Sequence, residues 1–502
     1  MKSVAIIGAG ITGLTAAFYL KRAGVPVTVF EAGPRAGGSI QSVRQDGYLA
    51  EFGPNTILET SPKIAQLIRD AGLESRRLEP DPKAAARFVV RYKRPIAMPG
   101  SPLGFLTTKL FTLPAKLAVL REPFVPARRD GVEESIAGFV VRRLGREFLD
   151  HAIDAMVAGV YAGDPGKLSV QQAFPKLAAL EAKYGSLIKG QILGARERRK
   201  RGEIAKDRAP TFSFDEGLQV LPDTLRERLG DAVQLNTSVT KLTQTAHGWT
   251  LDLRTKEGAS RSEHGAVIYA GTAHKLGELK VELRASPKVA DDRGNGRLAR
   301  LDATHRNPET CATHGRDAHA PCEELHSHPD LTPFSEIRLP PVASVVLGFR
   351  REDVAHSCEG FGALIPNVEG FKILGTLFSS SLFPNRAPAG HVTLTSYIGG
   401  ERHPELASLP PEELFELTQQ DLRVLLGVKG RPTFRHAAFF PKAIPQYNVG
   451  YGRFRGLMTE LETQAPDLFF AGHYRDGISL GDSIVSGCNI AERVGKSLGQ
   501  SS

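Results

Sequence analysis

The chain has 502 residues and a formal net charge of +9, with 41% hydrophobic and 24% charged residues. That is globular composition, long enough for two or three domains and a large core, and it excludes a disordered or fibrous chain. No apolar run approaches the roughly 18 residues of a membrane-spanning helix, and the four cysteines (Cys311, Cys322, Cys358, Cys488) form neither a disulfide framework nor a CxxC pair, which fits a reducing compartment.

The positive balance favours anionic partners: phosphates, carboxylated substrates or an anionic membrane surface. Nucleic acid is not expected, because basic runs such as RERRKRG at 196–202 are short and lack interleaved aromatics. The opening MKSVAIIGAG enters a strand over 3–7 directly, without the pattern of a secretory leader. GAGITG follows, with Gly8, Gly10 and Gly13 in GxGxxG spacing around Ala9, Ile11 and Thr12. Apolar residues at helical spacing run to Gly24, and a second strand, VPVTVFE, ends in Glu31. Each part has a physical reason. Gly8 permits the tight turn, Gly10 lets backbone approach a pyrophosphate, and Gly13 lets helix and strand pack. The helix N-terminus offers free N–H groups to phosphate. Glu31 stands 18 residues after Gly13, where a carboxylate can accept ribose hydroxyls and disfavours a 2′-phosphate. A bare GxGxxG is weak; strand, motif, helix, strand and acid together predict dinucleotide binding.

Farther along stand EAGPRAGGSI, carrying Ala32, Arg35, Gly37, Gly38 and Ser39, and LAEFGPN, carrying Gly53, Pro54 and Asn55 before Thr56. Residues 91–211 are helical in pattern, and MPGSPLGFLTTKLFTLPAKLAVL (98–120) is apolar with two lysines. VQLNTSVTKL (233–242) reads as a strand. Residues 284–329 lack any apolar period and read as a disordered insertion. Their His305, His314, His319, His326 and His328, with Cys311 and Cys322, match no closed zinc pattern, so no metal is expected. Near the end, LFFAGHYRDGISLGDSIVSGCNIAERV (468–494) gives a strand ending at Gly472, a loop with Gly477, Ile478 and Ser479, and a helix beginning near Asp482. A second helix N-terminus thus follows a glycine loop.

Taken together, these motifs resemble the flavin amine oxidase superfamily, which selects noncovalent FAD over NAD. Arg35, Gly37 and Gly38 match its second signature, where Ser39 departs from the larger residue many members carry. Gly53-Pro54-Asn55 matches its loop beside the isoalloxazine ring. Val239 matches the residue whose backbone clamps adenine, and Gly472 and Gly477-Ile478-Ser479 match its closing motif. Four further blocks, AGVYAGDPGKLSVQQAFPKL (158–177), GFGALIP (360–366), GTLFSSSLFPNRAP (375–388) and KAIPQYNVGY (442–451), resemble the protoporphyrinogen oxidase family.

That resemblance implies oxidation of protoporphyrinogen IX in three two-electron steps, with O2 reoxidising the flavin to give hydrogen peroxide. The protein would position and shield the substrate while the cofactor carries the chemistry. Arg87 falls where the family pairs a substrate propionate, a task suited to a guanidinium fork. Gly159 matches a glycine whose backbone approaches the porphyrinogen, and Leu364 and Leu377 match the pair that sandwiches a pyrrole ring. Tyr397 sits where plant members often stack a Phe, and its hydroxyl needs a partner. Asn55 replaces an arginine of some members. The resemblance also associates 91–211 with monotopic membrane docking, although its apolar residues equally suit a tunnel wall or a dimer contact.

The expected fold class is therefore α/β. A Rossmann-type FAD-binding domain (1–44, 212–283 and 465–500) joins a mixed-sheet substrate-binding domain (45–90 and 331–464), a helical domain (91–211) and the insertion (284–330). Coproporphyrinogen III is the alternative substrate. Amine or phytoene oxidation fits the blocks less well, and non-enzymatic escort relatives typically lose the flavin motifs that are kept here. The implied partners are protoporphyrinogen IX, O2 and a membrane surface, for a monomer or homodimer in a bacterial cytoplasm or on the cytoplasmic face of the inner membrane.

Overall fold

A computed structural model describes residues 2–201, 209–284 and 326–499. Five parallel strands form the first sheet, in the order Val233–Gln234, Val27–Phe30, Val4–Ile7, Ala266–Tyr269, Leu468–Phe470. The start, middle and end of the chain therefore meet in one layer. Its strands read as short runs of Val, Ile and Phe because both faces are covered, as parallel sheets require. The helices Ile11–Arg22 and Leu480–Ser497 cover one face, and Leu242, Trp249, Leu251 and Leu253 pack with Ala5, Val267 and Tyr269 on the other. The C-terminal helix starts two residues before the expected Asp482. Ser479 is its N-cap, accepting from Asp482 N at 3.0 Å, and the Asp482 carboxylate reaches back to Ser479 N, a capping box.

The segment 233–242 is not one strand. Val233–Gln234 pairs in the parallel sheet, Asn236 turns with φ of 53°, and Ser238–Gln244 joins a second sheet. That turn redirects the chain because Asn tolerates the left-handed region. The second sheet ends in Lys280–Arg284, paired with His326–Ser327. Between these strands the expected insertion, with its Cys311, Cys322, His305, His314 and His319, lies outside the described residues. Among the described residues no group of three metal-ligating side chains is present, and no helix is long and apolar enough to cross a membrane.

A seven-stranded mixed sheet forms the second layer, in the order Phe434–Phe440, Val342–Arg350, His391–Gly399, Ile373–Leu377, Gly362–Leu364, Arg87–Arg91, Arg94–Ala97. The hairpin Arg87–Ala97 straddles the boundary expected at residue 90, so this sheet extends seven residues farther. One face packs Val90, Ala343, Val345, Leu347 and Leu394 with Leu414, Leu422 and Leu425 of the helix Pro411–Leu426. On the opposite face Val346 packs with Tyr48 and Phe52, and Val89 with Leu110 and Phe111.

From Pro102 to Arg201 the chain is helical. Its anchor is ionic. Arg143 and Glu122, both with side chains 0% exposed, pair at 2.6 Å, and Arg143 also reaches Glu181. Glu122 additionally accepts from Ser186 Oγ and from the N–H groups of Leu187 and Ile188, so it caps the helix that follows. Arg143→Ala would leave that carboxylate buried and uncompensated. The expected cost is about 3–5 kcal/mol, read as a lower midpoint of thermal unfolding. An unchanged midpoint would contradict this anchoring role.

Candidate functional site

The glycine motif builds a cradle. Gly8 turns with φ of 104°, and a Cβ on Gly13 would lie 2.0 Å from Gly8 O, so helix and turn can touch only without side chains there. Gly10 is the N-cap of the helix Ile11–Arg22, and a Cβ placed on it would meet nothing within 4 Å. Open space therefore stands over a helix N-terminus, flanked by Ala9, Ile11 and Thr12. Glu31 accepts from Ala9 N and Gly33 N, both at 2.8 Å. This fixes the carboxylate and leaves lone pairs on each oxygen for ribose hydroxyls.

The signature after Glu31 folds back onto this cradle. Gly37 N donates to Ala9 O at 2.8 Å. Arg35 does not present its guanidinium to the cleft: it donates to the carbonyls of Ala36, Gly38 and Ile40 and so braces the loop that carries Ala32, Gly38 and Ser39. The turn before Val239 is tied to the same place, through Asn236 N to Gly33 O at 3.0 Å and Thr237 N to Glu31 O at 2.8 Å.

The C-terminal motif supplies a second helix end beside the first. Thr12 Oγ1 donates to Ser483 O at 3.0 Å, and a Cβ on Gly487 would lie 2.6 Å from Thr12 O. Gly472 N donates to Ser486 Oγ, which in turn donates to Asp476. Gly477 turns with φ of 131° and its N–H donates to Tyr447 Oη at 3.1 Å, placing Ile478 and Ser479 at the helix entrance. Tyr447 also donates to His473 O, and Tyr451 to Tyr474 O. Arg455 lies over both tyrosine rings and donates to Arg475 O. The KAIPQYNVGY block is thus a brace for the closing loop. Its sequence signalled importance, but no single residue signalled that role. Burial, with His274 nearby, pushes the His473 imidazole down to about 4, so it is neutral near pH 7.

The substrate candidates meet on the sheet face opposite the Pro411–Leu426 helix. Register aligns Val89, Leu364, Gly375 and Tyr397 in one row, and Arg87, Gly362, Leu377 and Thr395 in the next row on the same face. Leu364, Leu377 and Tyr397 are half-buried, unlike the buried residues flanking them along their strands. Leu364 packs against the cluster of Val89, Leu110 and Phe111, and Tyr397 against that of Ala158 and Leu374, each with part of its side chain exposed. Arg87 is exposed at the edge, 5.3 Å from the Phe361 ring, with no ion-pair partner among the described residues. Arg91, on the same strand, is buried and engaged with Glu147. Gly159 lies on the helix Asp154–Tyr161, where a Cβ would come 2.3 Å from Leu364 Cδ2. That helix is held to the sheet by Arg402, which donates to Asp154 at 2.6 Å and to Ile365 O at 2.8 Å.

The loop Gly53–Thr56 joins the two halves. A Cβ on Gly53 would lie 2.0 Å from Ser39 O, so the loop sits directly on the signature turn. On its other side Tyr397 Oη donates to Gly53 O at 3.1 Å and accepts from Asn55 Nδ2 at 2.5 Å, while Pro54 and Thr56 are half-buried beside them. Open space at Gly10, the fixed Glu31 carboxylate and two adjoining helix N-termini fit an extended dinucleotide that ends at this loop.

Comparison with known proteins agrees with that geometry. The family described as flavin containing amine oxidoreductase matches residues 11–295 and 311–495. The chain is 33% identical to protoporphyrinogen oxidase 2 of Arabidopsis thaliana, covering 98% of this chain and 94% of the relative. It is 28% identical to coproporphyrinogen III oxidase of Bacillus subtilis, covering 97% and 96%. A solved structure provisionally assigned as a protoporphyrinogen oxidase, from Exiguobacterium sp. 255-15, superposes with a TM-score of 0.75 at 22% identity, covering 99% of each chain. It supports the fold.

One buried acid behind the loop carries a pH dependence. Glu51, two residues before Gly53, accepts from Ser42 Oγ at 2.6 Å and Leu218 N at 2.8 Å. Arg386 Nη2 lies 3.8 Å away, too far for a hydrogen bond. Burial pushes the carboxyl up from 4.5 to about 7, against the opposing pull of Ser42, Arg386 and Leu218. The folded state thus binds this proton more tightly than the unfolded chain. Its contribution to stability is full below 4.5 and is lost as pH rises through about 7. Glu51→Gln should flatten that decline. The thermal midpoint of the variant, relative to the parent, should rise as pH passes from about 4.5 to above 7. A pH-independent difference would contradict the assignment.

Proposed function

The chain belongs to the flavin-containing amine oxidoreductase family, and from that premise we propose that it oxidises protoporphyrinogen IX to protoporphyrin IX, with FAD as cofactor and O2 as acceptor. The relatives' names support the reaction class. The register that sets Arg87, Leu364, Leu377 and Tyr397 on one face, against Gly159 and beside the Gly53–Thr56 loop, is the observation that carries it.

FAD held by this chain would supply a hydride acceptor that O2 can reoxidise. The chain's own part is placement. Leu364 and Leu377 offer apolar surface to pyrrole rings, and Gly159 lets backbone approach them. Arg87 offers an exposed fork to a propionate at the mouth. Gly8, Ala9, Gly10, Ile11, Thr12 and Gly13 would hold the pyrophosphate, Glu31 the ribose, Val239 the adenine, and Gly472 with Gly477, Ile478 and Ser479 the ribityl end. Ala32, Gly38 and Ser39 complete the wall, which Arg35 and Gly37 brace. Gly53, Pro54, Asn55 and Thr56 would face the ring system.

Coproporphyrinogen III stays as the second reading because a coproporphyrinogen oxidase is among the relatives. Its additional propionates would need additional cations. On this strand Arg91 is already engaged, which favours the substrate with fewer carboxylates.

We propose further that the protein works at the cytoplasmic face of a bacterial inner membrane, or in the cytoplasm. Leu103, Leu106, Leu113, Leu117, Leu120 and Phe124 are exposed, the last at 84%. Exposed large apolar side chains close together in sequence support a docking surface here. Among them, the Lys116 ammonium donates to Leu106 O and Thr108 O. Flotation with anionic liposomes should carry the protein upward, and Leu113→Glu with Leu117→Glu should abolish this. Failure of the parent protein to float would remove the membrane claim alone.

Aerobic oxidation of the two porphyrinogens, run in parallel and followed by porphyrin fluorescence, tests the reaction. Protoporphyrinogen IX should be preferred. Arg87→Ala should raise KM at least tenfold and change kcat little, as loss of a charge-assisted contact made alike in ground and transition states. Preference for coproporphyrinogen III would move the substrate, and inactivity on both would overturn the reading.

A further inference from the structure

Asn55 and Tyr397 touch each other. They are 342 positions apart in sequence, one on the Gly53–Thr56 loop and one on the substrate sheet. We propose that the Tyr397 hydroxyl is a positioning group that fixes the Asn55 carboxamide, so that Asn55 Oδ1 stands in the cleft as the acceptor for a pyrrole N–H of the porphyrinogen. This rests on the functional reading above and deepens it.

The hydrogen bonds determine which way the amide points. Gly53 O can only accept. Tyr397 Oη donates to it at 3.1 Å, so the phenol oxygen is left to accept. Asn55 Nδ2 lies 2.5 Å from that phenol oxygen and 3.3 Å from Gly53 O. A flipped amide would set Oδ1 against the Gly53 carbonyl, acceptor against acceptor. With nitrogen facing the bridge, Asn55 Oδ1 accepts no hydrogen bond among the described residues. Burial raises the Tyr397 phenol well above its ordinary value, so the hydroxyl keeps its proton and its donor role.

The location suits a ring nitrogen. Tyr397 stands in the row Leu364, Gly375, Tyr397, and its ring and the Leu377 side chain in the next row share the half-buried face on which a flat pyrrole would lie. A porphyrinogen presents N–H at every ring nitrogen and has no acceptor there. In the aromatic product half of those nitrogens are bare lone pairs, which a carboxamide oxygen repels. An acceptor at this place therefore prefers substrate over product and promotes release. A phenylalanine at 397 would keep the ring and lose the bridge.

The test uses the FAD-loaded, full-length protein and three variants: Tyr397→Phe, Asn55→Ala and the double variant. Steady-state oxidation of protoporphyrinogen IX gives kcat and KM, added protoporphyrin IX gives the product inhibition constant, and the flavin absorption band reports on cofactor retention. Each single variant should lower kcat/KM about tenfold, the worth of one buried hydrogen bond. The double variant should lose no more than the worse single, because both break one bridge. In all three the product inhibition constant should fall relative to KM, a ratio that a merely structural role would not move. Tyr397→Phe with parental kcat/KM, multiplying losses, or an unchanged ratio would each overturn the inference. If Tyr397→Phe loses FAD, Asn55→Ala tests the bridge from its other end. If the parent protein oxidises neither porphyrinogen, the functional reading falls, and this inference with it.

Discussion

The close approach of two helix N-termini organises the whole molecule. Thr12 donates its hydroxyl to Ser483 O, and Gly487 leaves room for Thr12 backbone. Both contacts join residues more than 470 positions apart, so the ends of the chain must meet before the site exists. Two helix N-termini, with their aligned dipoles, then lie side by side. Each dipole end favours negative charge by roughly 0.3–1 kcal/mol where exposed, and more where partly buried. A bound pyrophosphate would contribute to the stability of this junction as well as use it.

From that junction, support passes outward by hydrogen bonds to backbone. Glu31 ties the cradle to the turn before Val239, Arg35 stiffens the signature loop, and Gly53 lies directly on Ser39. Tyr447 and Tyr451 hold the closing loop from the other direction. The substrate sheet then attaches through Tyr397 to the Gly53 carbonyl, and the Gly159 helix through Arg402 to Asp154. Few of these links depend on surface charge pairs, which contribute little. Most are buried or half-buried polar contacts, where geometry is held more strictly.

How much of this could be read from the sequence depends on whether the signal was local. Gly8 and Gly13 were legible because a tight turn and a close helix–turn contact each impose glycine at fixed spacing. The start of the C-terminal helix was misplaced by two residues because Ser479 and Asp482 form a capping box, a pattern that points to Ser479 as the cap. The break at Asn236 was missed because a run of strand-formers on either side masks one left-handed residue. The partnership of Tyr397 with Asn55 could not have been read, since register between distant strands is set by the assembled sheet. Neither could the roles of Glu51 and Arg386, because both depend on burial that only the tertiary structure creates.

The central claim is that electrons leave a porphyrinogen on this sheet face and enter flavin beside the Gly53–Thr56 loop. Its most direct test is a single turnover without oxygen: the purified yellow protein is mixed anaerobically with protoporphyrinogen IX and the flavin absorption is followed. The account predicts that the flavin bleaches as the porphyrinogen is consumed, and that colour returns with hydrogen peroxide when air is admitted. A flavin that stays oxidised in the presence of excess protoporphyrinogen IX, in a protein that holds its full complement of FAD, would contradict it.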